Sequence, residues 1–222
     1  MDAEHLSVLR RVGRALIVVG LLDIGLMVYC VVRGLPYQSS FNIFAVVAGV
    51  FLVRGNLRAA GIVLWFAAFM LAGLGCLVVG WPLIVPPGLM LAELRLYTVS
   101  FASSLIFEAA AVGFLYWVTQ QLRPLPVLPA RMWGFTAGSL RSAITAGMAL
   151  FVILAVATGF MLNGQSAKRA VEVATSQLGS GYAYHVSSIH WMSRGHGTEV
   201  SAVVTAWNAR EIRNVPVHWH ER

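Results

Sequence analysis

The chain has 222 residues, 58% of them hydrophobic and only 11% charged, with a formal net charge of +7. A soluble domain carries about a quarter of its residues as charges, so this composition cannot surface a soluble fold and a polytopic membrane protein is expected. All but one of the 16 cations are arginines (Lys168 is the exception), and most flank apolar runs; that reports membrane topology and excludes a nucleic-acid-binding patch.

In chain order, residues 1–14 form a polar amino-terminal segment with Arg10, Arg11 and Arg14 at its end and a short apolar stripe from Leu6, Leu9 and Val12. It is expected to lie on the membrane surface. The first span is expected over 15–32, too long for the apolar part of a cleavable signal and followed by no small-residue cleavage site. Pro36 ends it, because the residue before a proline disfavours helix. A weaker second span is expected over 37–53, at the low end of the length needed. The third, over 59–79, carries Gly61, Gly73 and Gly75, with Gly80 just beyond, small residues that let helices approach closely. Pro82, Pro86 and Pro87 then make 81–94 a loop or a short interfacial helix, with Trp81 at the headgroups. The fourth span is expected over 97–118. After a polar, proline-containing connection, the fifth covers 142–162, whose Ala143, Ala146, Gly147 and Ala149 suit tight packing. Asn56 and Ser139 stand as natural N-caps before the third and fifth spans. The spans together make a transmembrane domain over 15–162.

Orientation follows from the arginines. With the amino terminus in the cytoplasm, the inner segments hold Arg10, Arg11, Arg14, Arg54, Arg58, Arg123, Arg131 and Arg141, while the outer short loops hold only Arg33 and Arg95. The positive-inside rule favours this arrangement. Five spans then place residues 165–222 outside, in a periplasm if the membrane is a bacterial inner membrane. A four-span layout, with the second segment re-entrant, puts them in the cytoplasm.

The carboxy-terminal stretch changes character. Ala170, Val171, Ala174 and Leu178 recur at helical spacing, and Gly179-Ser180-Gly181 stops the helix. Strands are expected over 182–192, 199–207 and 215–221, each alternating and rich in β-branched and aromatic residues. One face of the second holds Val200, Ala202, Val204 and Ala206; Val215, Val217 and Trp219 share a face of the third, opposite His218 and His220. The unit is therefore a small α+β domain, one helix on a three-stranded antiparallel meander. With so few residues its core is marginal, and a protein partner or a second copy is expected beside the bilayer.

Two carboxylates lie in expected spans, Asp23 and Glu108. An intramembrane acid costs a few kcal/mol unless protonated or partnered. Either they form a proton or cation site, or they make interhelical hydrogen bonds, for which Ser100, Ser103, Ser104 and Thr145 are at hand. In the tail, His218 and His220 share one side of a strand, where with Met192 and a third histidine they could hold copper or zinc. His190 has the parity of Val186 and not of His185, which argues against one cluster of all the tail histidines. Trp191, Trp207 and Trp219, with His218 and His220, are candidates for a partner-binding surface. Cys30 and Cys76 lie in apolar runs and read as small buried hydrophobes. No catalytic motif is present, so no enzyme activity and no cofactor are expected. The leading expectation is an inner-membrane accessory, assembly or interaction subunit whose exported domain docks a partner. The alternatives are a transporter or ion-conducting protein using Asp23 and Glu108, and a metal-handling protein using the tail histidines.

Overall fold

A computed structural model describes residues 3–34, 37, 42–123, 139–194 and 197–221. Pro36, the connection at 124–138 with Arg131, and His196 lie outside them. The elements in order are helices α1 (Ala3–Val32), α2 (Asn42–Val53), α3 (Leu57–Ile84), α4 (Pro87–Leu96), α5 (Thr98–Leu122), α6 (Ser139–Asn163) and α7 (Gln165–Leu178), then strands β1 (Ala183–Arg194), β2 (Gly197–Trp207) and β3 (Ile212–Glu221). Four helical stretches are long and apolar enough to cross a bilayer: His5–Val32, Leu57–Pro82, Thr98–Leu122 and Leu140–Asn163. Val32, Val79 and Phe160 on them are more than three-quarters exposed, tenable against lipid and not in water. The chain is a polytopic helical membrane protein with a carboxy-terminal α+β domain. It divides into two compact units, Met1–Leu74 with Ala111–Met148, and Gly75–Ala110 with Ala149–Arg222.

In the first unit, α1 is continuous from Ala3, so the amino-terminal stripe is no separate surface segment. Leu9, Val12 and Leu16 are buried in a cluster with Ala45 and Leu52 of α2 and with Ala60, Val118 and Leu122. Two glycines set how closely α1 and α2 approach: a Cβ on Gly13 would sit 2.7 Å from the Gly49 carbonyl oxygen, and one on Gly49 would sit 2.6 Å from that of Gly13. Neither position has room for a side chain, which is the close-approach logic of small residues in membrane helix pairs. On α6, Ala143 is fully buried and Gly147 passes against the α3 backbone at Phe69 and Gly73, as its small-residue content predicts.

The second expected span is corrected in form. α2 has 12 residues, about 18 Å of rise, well short of a hydrocarbon core of about 30 Å. Yet the chain does return. A Cβ on Gly13 would meet the Val53 backbone nitrogen at 2.9 Å, and one on Gly55 would meet Leu6 Cδ2 at 2.9 Å. Having left α1 at Val32, the chain is back beside the start of α1 by Gly55. Asn56 then caps α3 as expected, its Oδ1 accepting the backbone N–H groups of Arg58 (2.9 Å) and Ala59 (3.3 Å).

In the second unit, α3 runs through Pro82 to Ile84, further than the proline suggests; the loss of one backbone donor is tolerable inside a helix otherwise fully bonded. Pro87 opens α4 at a position where its fixed φ fits and its missing N–H costs nothing. Helix α7 ends at Gly179, whose φ of 83° suits only glycine. The strands form an antiparallel sheet in the order β1-β2-β3. β3 starts three residues earlier than its alternation suggests, because Ile212 and Arg213 pair with Trp207 and Ala206. Asn208 makes the turn: its Oδ1 accepts the N–H groups of Arg210 and Glu211 at 2.8 and 2.9 Å. α7 lays Ala167, Ala170 and Ala174 on Val186, Ile189, Val200, Ala202, Val204, Ala206, Val215, Val217 and Trp219. Alanine on the helix brings the sheet close, and the β-branched residues supply the volume.

Candidate functional site

The sheet has two faces, and the one turned away from α7 carries the polar chemistry. A β-bulge decides what lies there. Val186 pairs with Val204 and Ser188 with Val203, leaving Ser187 as the extra residue. Beyond it the parity of β1 is reversed, so Val186 and Ile189, three apart, both enter the core. His190 therefore turns away from α7, contrary to the parity read from the sequence. It lies in a row with Ser201 and His218; the next row is Met192, Glu199 and His220. His190, His218 and His220 are exposed, and Met192 is 46% exposed. His185, opposite Thr205, belongs to the same face by register, and partial burial lowers its pKa from the usual 6.5. Among the described residues no three histidine, cysteine, aspartate or glutamate side chains come close enough to hold a metal ion; His218, His220 and Met192 share a face of the sheet.

The three tryptophans do not form one surface. Trp219 is 9% exposed and lies in the core with Val200 and Val217; its indole Nε1 has no partner among the described residues, so packing alone holds it. Trp207 turns to α4, where a Cβ on Gly88 would lie 3.4 Å from its Nε1. Trp191 is 43% exposed, but its register partner is the buried Val200, so it sits at the rim of the face that α7 covers. Alternation along one strand cannot distinguish these cases, because burial depends on what lies over each end of the sheet.

The part of the polar face nearest α4 forms a cleft of about 450 Å³ lined by Glu93, Tyr97, Ser187, Ser188, Val203, Thr205, Ile212 and Asn214. Its floor is a hydrogen-bonded chain. Thr205, 7% exposed, donates its hydroxyl to Asn214 Oδ1 at 3.0 Å and lies 2.5 Å from Ser187 Oγ. A hydroxyl has one proton, so Ser187 is the donor to Thr205. No sequence motif marks these residues. The available signal was the broken alternation of β1, with Val186 and Ile189 both apolar and three apart. At the sheet's end, Tyr182 donates to Glu211 Oε1 and Arg213 pairs with Glu211 Oε2 at 2.9 Å. The tyrosine hydrogen bond first, and Arg213 second, lower the Glu211 pKa below its usual 4.5.

No known protein family, curated protein or solved structure matches the chain. The domain has to be read from its own surface.

The two membrane carboxylates fall in different units. Asp23 is half-buried and its Oδ1 accepts the Tyr37 hydroxyl at 2.6 Å; the Asp23 carbonyl oxygen lies 3.2 Å from that hydroxyl. Glu108 is half-buried and has no hydrogen-bond or ion-pair partner among the described residues. Three of the four hydroxyls expected to serve these acids bond inside their own helices instead. Ser103 and Ser104 donate to the Ser100 carbonyl at 2.8 and 3.0 Å, and Thr145 lies within reach of the Arg141 and Ser142 carbonyls at 3.0 and 3.1 Å. A short hydroxyl on a helix finds its i−3 or i−4 carbonyl before it finds a neighbour.

Proposed function

We propose that this is a non-catalytic accessory or assembly subunit of a bacterial inner membrane, whose α+β domain docks a protein partner through the sheet face that α7 leaves uncovered. The observation that carries the reading is the placement of His190, His218, His220, Glu199 and Met192 in two adjoining rows of that face, unlike the closed alanine and valine face behind it. Imidazole, thioether and carboxylate groups give such a surface both hydrogen-bonding and adaptable apolar contact. The single residue Gly164 between α6 and α7 leaves little slack, which suits a presented surface better than a tether. The return of the chain to the start of α1 by Gly55 supports five crossings, with the amino terminus cytoplasmic and the domain periplasmic. Crosslinking mass spectrometry on native membranes tests the reading: crosslinks from this face to another protein are expected, and they should disappear with His218→Ala/His220→Ala. Self-crosslinks alone, from a stable monomer, would discard it.

A second reading has its own observation. Asp23 accepts the Tyr37 hydroxyl just ahead of the short apolar helix α2, and interrupted membrane segments with an acid partner are where ion paths form. Proton or cation flux in liposomes that falls with Asp23→Asn supports conduction; absence of flux in the unaltered protein removes it.

A further inference from the structure

We infer that the cleft between α4 and the sheet binds a small primary amine that also carries a hydrogen-bond-accepting oxygen, with Glu93 as the ammonium site. Of the cleft's eight lining residues Glu93 alone is charged, and no cation is among them. Its carboxylate has no hydrogen bond or ion pair among the described residues. A carboxylate in a concave, partly desolvated site attracts a cation more strongly than one on an open surface.

The hydrogen-bond chain specifies the rest. Ser187 gives its proton to Thr205, and Thr205 gives its own to Asn214 Oδ1. Ser187 Oγ is thus left with lone pairs only, a second acceptor lining the same cleft as Glu93. Two acceptors call for a ligand group with several N–H donors, which a primary ammonium has and a trimethylammonium lacks. At the far end of the chain, with Asn214 Oδ1 already used, the side-chain Nδ2 is left as donor, and it calls for an acceptor oxygen on the ligand. The volume of about 450 Å³ is within the range of small-molecule sites. The floor is preorganised, because Thr205 is buried, Asn214 is its strand-pairing partner and Ser187 is hydrogen-bonded to its hydroxyl. This assignment uses the α4 end of the face, not the histidine rows, and so stands or falls apart from the docking reading.

Two sources supply the same chemistry: a free amino alcohol, or the ethanolamine headgroup of a lipid, since α4 joins two membrane-spanning helices. The test is calorimetric titration of ethanolamine, choline and ethylene glycol into the full chain in phosphatidylcholine nanodiscs. Saturable ethanolamine binding is expected, with choline at least tenfold weaker and ethylene glycol not bound. Glu93→Gln should weaken ethanolamine at least tenfold, and Asn214→Ala severalfold, both with unchanged circular dichroism. Absence of saturable ethanolamine binding, or equal binding by Glu93→Gln, overturns the assignment. Repeating the titration in phosphatidylethanolamine nanodiscs separates the sources while upholding the cleft: a loss of apparent affinity identifies the headgroup as occupant, and an unchanged one identifies the free amine.

Discussion

The α1–α2 pair and the carboxy-terminal domain bury their residues by different rules. In the domain, every residue of the inner β2 face (Val200, Ala202, Val204, Ala206) is apolar and buried, and alternation alone points to it. In the α1–α2 pair apolar residues lie on all sides: Leu22 and Val31 are as hydrophobic as Leu9 and Val12, yet the first two are well exposed and the last two fully buried. Water forces a soluble domain to declare its core in its hydrophobic pattern. Lipid does not, because it is as apolar as the neighbouring helix, and the contact is then marked by small size.

The sharpest way to break this contrast is to remove a residue whose burial pattern and surface reading disagree. Trp219→Ala should cost the domain about 3–5 kcal/mol as a core deletion, and Trp191→Ala under about 0.5 kcal/mol as a rim change. Urea unfolding of the full chain in nanodiscs, followed by hydrogen exchange of the β2 amides, checks this; equal effects would return Trp219 to the surface. Next in size is the glycine contact. Gly49→Ala should destabilise by about 1–3 kcal/mol, because its Cβ has nowhere to go. Gly25→Ala, with nothing within 4 Å of the new Cβ, should instead stabilise α1 by about 0.5 kcal/mol through helix propensity. Opposite signs in detergent thermal unfolding sustain the close approach, whereas equal signs reject it. Tyr37→Phe removes the donor to Asp23 and should lower the same unfolding temperature by the equivalent of about 1 kcal/mol.

The smallest effect is on pH dependence, and it belongs to the domain. His185 has a lowered pKa, so the unfolded chain binds its proton more readily than the folded one does. The stability it permits is full above about 6.5, the ordinary histidine value, and declines as pH falls below that toward the lowered folded value. Glu211 is also lowered, through Tyr182 and then Arg213, so its contribution is present above the ordinary 4.5 and is lost as pH falls through its folded value. His185→Gln should flatten the upper slope in pH-dependent unfolding, and Tyr182→Phe the lower one. A slope between pH 5 and 7 that survives His185→Gln assigns it to another group.

The membrane class, four of the long helices, the helix-and-meander order of the tail and the residues of its inner β2 and β3 faces are all legible along the chain. These are set by local hydrophobic period and turn chemistry, which need no knowledge of neighbours. The rest came from packing. The Ser187 bulge turned His190 onto the polar face with His218 and His220, because one unpaired residue reverses the parity of all that follow. α4 settled on the sheet end and took Trp207 and the future cleft residues with it, while Trp219 went under α7. α2 took only 12 residues where a span over 37–53 was expected, and it lies against α1 at the Gly13–Gly49 contact. Each of these depends on what packs over a residue, and a strand or an apolar run read alone carries no record of that.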